Sequence, residues 1–95
     1  MQCYFVLVHG TLEWTVPPPS DDVSQPDGFY CHRHVLAEDE GRATEIAFGR
    51  VRSNLNKRVG WLSKGNALLT LTAEEVRAAP FHKLLKPDNQ GHTWY

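Results

Sequence analysis

Long apolar runs are missing from this sequence. A membrane-crossing helix needs roughly 18 to 20 consecutive apolar residues, and the longest run here, Tyr4 to Val8, has only the length of a strand. A helical membrane span is therefore excluded. Cysteine is scarce too: Cys3 and Cys31 are the only two, too far apart for a CxxC redox or zinc-knuckle pair. No basic segment precedes the apolar N-terminal stretch and no small-residue cleavage site follows it, so a secretory leader is not expected. The expected compartment is the cytoplasm, with both thiols reduced. Excess charge is absent as well. Ten Lys plus Arg against eleven Asp plus Glu leave a net charge of -1, which argues against a chain committed as a whole to polyanions. The GxGxxG, GxxxxGK[ST], GxSxG and HExxH patterns are all missing, and with them the usual dinucleotide, phosphate, hydrolase and zinc-protease signatures.

What is present fits one domain, residues 1 to 95. A chain this short has surface enough for one sheet covered by one or two helices. Cys3, Phe5 and Leu7 alternate with Tyr4, Val6 and Val8, both sets apolar, as in a central strand covered on both faces. His9-Gly10 reads as a turn or bulge. Beyond it Leu12, Trp14 and Val16 alternate with Thr11, Glu13 and Thr15, so residues 2 to 16 form either a hairpin or one long bent strand. Pro17 to Gly28 holds four of the six prolines and reads as a long surface loop.

Phe29 to Ala37 returns to extended character with mixed faces. Glu38-Asp39-Glu40 then places acidic groups where a helix begins, with Asp39 the expected N-cap. The helix is predicted over about residues 40 to 57, with Ala43, Ala47, Val51 and Leu55 in one apolar stripe. Gly49 interrupts it and is read as a point of close approach to a neighbour. Trp61 and Leu62 are expected in a turn that caps the core. Asn66 to Ala73 is the next clear strand. Glu74 to Val76 either extends it or leaves it, and a short helix is expected from Pro80 through Phe81 to Leu85. Pro87 to Gly91 is a turn cluster, and His92 to Tyr95 can add an edge strand. The order predicts an α+β fold with four or five antiparallel strands and one long and one short helix on one face. A ferredoxin-like sandwich is the best single topology.

The sharpest chemical feature is Cys31-His32-Arg33-His34. Histidines at i and i+2 on a strand share a face, so His32 and His34 can reach one divalent metal. Such a site needs a third ligand, for which His82, His92, Asp88 and His9 are the candidates. No cofactor is otherwise predicted. Both cysteines sit among apolar neighbours, which favours inert thiols over nucleophiles, so no catalytic residue is assigned. Arg42, Arg50, Arg52, Lys57 and Arg58 cluster in and just after the helix, and Tyr4, Trp14 and Tyr30 offer stacking surfaces. The cations surround the helix instead of forming a stripe, so RNA binding is the weakest reading. Ten aromatic residues, three Trp, three Tyr and four Phe, exceed what so small a core easily hides. Trp14, Tyr30, Trp94 and Tyr95 are the candidate interface residues. These features lead to a non-catalytic cytoplasmic module that pairs with itself or another protein. The alternative is a small-ligand or metal-dependent enzyme built on His32 and His34, with the proline loop as its lid.

Overall fold

A computed structural model describes residues 1–17, 25–58, 65–85 and 92–95. Its elements follow the order β1 (Gln2–Trp14), β2 (Gly28–Ala37), α1 (Glu40–Arg58), β3 (Ala67–Ala78), a 3-10 helix (Phe81–Leu85) and β4 (Thr93–Trp94). The strands form one antiparallel sheet in the order β3-β1-β2-β4, so the fold is α+β, with one α-helix among the described residues.

β1 is a single strand, and no turn falls at His9-Gly10; the irregularity lies in the partner strand. Leu7 pairs with Glu75 and Val8 with Ala73, which makes Glu74 the extra residue of a bulge in β3. The bulge lets β3 continue to Ala78, well beyond the apolar alternation that ends at Ala73. β1 lies between β2 and β3 and is antiparallel to both, so its central position holds. Trp14 stands at the end of an inner strand, half-buried, with its indole Nε1 donating to the Pro26 carbonyl at 2.8 Å.

The core lies between α1 and one face of the sheet. Alternation puts Tyr4, Val6, Val8, Phe29, Cys31, Val35 and Ala37 on that face, where α1 lays Ala43, Ala47, Val51 and Leu55 against them. All four positions of the expected stripe are buried, and burying a Val or Leu side chain contributes about 1.5 to 3 kcal/mol. Gly10 pairs with Phe29, and a Cβ there would collide with the Phe29 ring, so glycine leaves the ring room to lie across β1. The helix begins where Asp39 Oδ1 accepts the Arg42 N–H at 2.8 Å, a side-chain N-cap. Lys57 and Arg58 close it at the negative end of its dipole. Gly49 is exposed, and among the described residues a Cβ there would meet nothing within 4 Å, so it marks no close approach to them.

The second helix of the sequence reading is a five-residue 3-10 helix. The expected ferredoxin-like topology is not confirmed. In that pattern a helix separates the first two strands, whereas here β1 and β2 pair directly before α1. Trp61 and Leu62, Asp88, the Pro87 to Gly91 turn and the centre of the proline loop, residues 18–24, lie outside the described residues.

Candidate functional site: the face without the α-helix

The second face of the sheet follows from the same alternation. Opposite the α1-covered residues, β1 presents Phe5, Leu7, His9, Thr11 and Glu13, while β2 presents Tyr30, His32, His34 and Leu36. β3 adds Leu68, Thr70, Thr72, Glu75 and Arg77 by register. Registry orders these residues into rows. Arg77, Phe5 and His34 form one row, Glu75, Leu7 and His32 the next, and Thr72, His9 and Tyr30 the third.

In the first two rows the rings form one cluster. Phe5 lies 5.5 Å from both His32 and His34, centroid to centroid. The two imidazoles are 5.7 Å apart and nearly perpendicular at 82°. The Arg77 guanidinium stands 4.5 Å over the Phe5 ring, a cation–π contact, and is paired with Glu75 at 3.4 Å.

The third row holds a hydrogen-bonded relay. His9 Nδ1 lies 3.2 Å from Glu74 Oε1 and His9 Nε2 lies 2.5 Å from the Tyr95 hydroxyl. A neutral imidazole has one donor and one acceptor nitrogen, so the two partners select the tautomer in which Nδ1–H donates to Glu74 and Nε2 accepts the Tyr95 O–H. The bulge at Glu74 is what aims its carboxylate at His9. Desolvation, with Tyr30, Asp27 and Glu74 adding to it, pushes the Tyr95 phenol above its ordinary pKa. Tyr30 stacks on His9 at 4.4 Å and 8°. Backbone bonds fasten the same corner: Tyr95 N–H donates to the Gly28 carbonyl at 3.0 Å and Asp27 N–H donates to the Tyr95 carbonyl at 2.7 Å.

The edge of β2 beside this face is occupied. β4 pairs only with Phe29 and Tyr30. Further along, the His32 carbonyl accepts from Arg33 Nη1 at 2.7 Å and the His34 carbonyl from Arg50 Nη1 at 3.0 Å. Guanidinium groups on edge carbonyls obstruct the addition of another strand there. Arg33 is fully buried, a charge placed inward at an edge.

The candidate residues of the sequence separate accordingly. His32 and His34 come together on this face. His82 is exposed on the 3-10 helix, whereas His92 packs edge-on to Phe29 at 4.9 Å. His9 belongs to the relay. Among the described residues, no three His, Cys, Asp or Glu side chains come together as a metal site. Of the four interface candidates, Tyr30 and Tyr95 lie on this face. Trp94 sits beside Phe29 at 5.2 Å and Trp14 is held by Pro26. The α1 cations occupy the layer on the other side of the sheet from Tyr30, and Tyr4 is buried in the core.

Cys3 and Cys31 are both free and buried. Cys3 pairs with Leu36 and Cys31 with Val8, which sets them on opposite faces and several residues apart along the strands. Burial pushes both thiols up, with Arg33 partly opposing the shift at Cys31. No described helix is long and apolar enough to cross a membrane. Compared with protein-family models, curated proteins and solved structures, the chain matches none.

Proposed function

We propose that the protein is a cytoplasmic, non-catalytic interaction module that pairs with a second copy through the face opposite α1. The observation that carries this reading is the contrast in covering. One face lies under α1, while the other carries Phe5, Leu7, Tyr30 and Leu36, with Tyr30 and Leu36 at 42% and 40% exposure. Groups of half-exposed rings and aliphatic side chains on one surface mark interaction sites.

Two further features favour a second copy as the occupant. The first is charge. The Arg77 row and the Glu75 row are adjacent, so a two-fold axis between them, perpendicular to the strands, sets Arg77 of one copy over Glu75 of the other. Phe5 then meets Leu7. Such a patch is self-complementary, as an isologous interface requires. The second is the guarded β2 edge, which favours face packing over strand addition on that side. The β2-α1-β3 crossover around β1 puts α1 on one face only. The 3-10 helix packs on β1 and β2 away from α1, and Cys3 is fully buried on the other face, so the patch offered to a mate is the part of that face carrying Phe5, Leu7 and Tyr30.

Light scattering at micromolar concentration tests the proposal. A dimer is expected for the natural chain, and a monomer with unchanged circular dichroism for Leu7→Asp. A strict monomer, or a dimer indifferent to Leu7→Asp, would sink it.

A further inference from the structure

His32 and His34 meet edge to face at a separation that also suits two ligands of one metal ion. Two imidazoles sharing one tetrahedral zinc, at about 2.0 to 2.1 Å per nitrogen, stand with ring centres about 5 Å apart. His32 and His34 stand 5.7 Å apart, nearly perpendicular, on the same face of one strand. Within one chain they remain half a site, since no third ligand joins them among the described residues.

The proposed pairing supplies the rest. The two-fold axis that sets Arg77 over Glu75 runs between the His34 row and the His32 row, because Phe5 pairs with His34 and Leu7 with His32. It therefore brings His34 of each copy over His32 of the other. Packed sheets lie about 10 Å apart, and half that separation is within the length of a histidine side chain. Four imidazoles then meet around one point on the axis.

We infer that His32 and His34 of two copies form a four-imidazole site for a zinc-class divalent cation, shared across the dimer. This rests on the face-to-face pairing proposed above. Neutral imidazole suits zinc, copper and nickel and disfavours magnesium and calcium, which take oxygen ligands. Phe5, in contact with both rings, walls the site on its β1 side and limits their rotation. The Arg33 and Arg50 guanidiniums, on the His32 and His34 carbonyls, are the nearest opposing charges; Arg77 stands farther off over Phe5, where Glu75 offsets it.

Zinc and cobalt titrations of the purified protein, with light scattering in parallel, test the site. The expected result is one zinc per two chains, at least a tenfold tighter dimer with zinc than with chelator, and a visible absorption band of tetrahedral cobalt. The His32→Ala/His34→Ala variant should lose all three, while His82→Ala keeps them. One metal per chain, a titration with no metal uptake, or uptake that survives the double variant would overturn the site. The cobalt band reads coordination directly, so a variant that folds poorly does not decide the matter alone. A chain that dimerises in chelator and ignores zinc refutes the metal site and leaves the pairing standing. A chain that stays monomeric with or without zinc refutes both.

Discussion

The two faces of one sheet are built from alternate residues of the same strands, yet they differ in kind. On the α1 side the positions are Val, Ala, Leu, Tyr, Phe and Cys, with the buried Arg33 among them, packed against a four-residue helical stripe. On the other side the same strands carry imidazoles, a tyrosine, a phenylalanine, leucines, threonines and charged groups. The first face gains chiefly from burial. The second gains from ring contacts and hydrogen bonds at its surface, each worth less per residue than a buried aliphatic side chain. The molecule's shape agrees with this division. It extends 47 Å along its longest axis and has a radius of gyration of 14.6 Å, against about 12 Å for a compact chain of this length. Its longest strand, β1, has 13 residues, and one helix serves one face of the sheet only.

The largest expected effect breaks the comparison directly. Leu55→Ala should cost about 2 to 5 kcal/mol, because it opens a cavity under α1. Leu7→Ala, measured by denaturation at dilutions where the chain is monomeric, should cost less than about 1 kcal/mol. Equal losses would mean that both faces are core.

A smaller effect of opposite sign comes from the outer surface of α1. Gly49→Ala should raise stability by about 1 kcal/mol, since the helix interior gains a better former and the new methyl meets nothing. A loss of stability there would point to a contact on the outer side of α1.

The smallest effect concerns the thiols, one on each side of the sheet. Both are held above the ordinary range by burial, so the unfolded chain ionises before the folded one. Their contribution is complete below the ordinary thiol range and is lost as pH rises through it, from about pH 8 to 9 upward. Folded protein should therefore react slowly with a thiol reagent at both positions. Rapid labelling of Cys3 alone would show that the cover over its end of the face opposite α1 opens in solution.

What the sequence disclosed follows from how local each signal is. The stripe at Ala43, Ala47, Val51 and Leu55 and the Asp39 cap are set within a few turns of chain, and both stand as read. The pairing of His32 with His34 on one face needed only the two-residue period of a strand. The course of β3 beyond Ala73 was ambiguous, because Glu74-Glu75 breaks the alternation and only pairing with β1 shows a bulge. Alternation groups Arg33 with Phe29, Cys31 and Val35, and although its charge favours solvent it is fully buried with them. The Glu74, His9 and Tyr95 relay joins residues 65 and 86 positions apart, beyond any local signal. Phe5 and Arg77 escaped notice for the same reason: each reads as ordinary on its own strand, and only the register brings them to the histidines.

The central claim is that the face without the helix mates with itself. Isotope-filtered nuclear Overhauser spectra of a mixture of differently labelled chains test this most directly, because they record only contacts between copies. Contacts between the Phe5 ring of one copy and the Leu7 methyls of the other are the expected result. Their absence, or contacts confined to the outer edge of β3, would contradict the account.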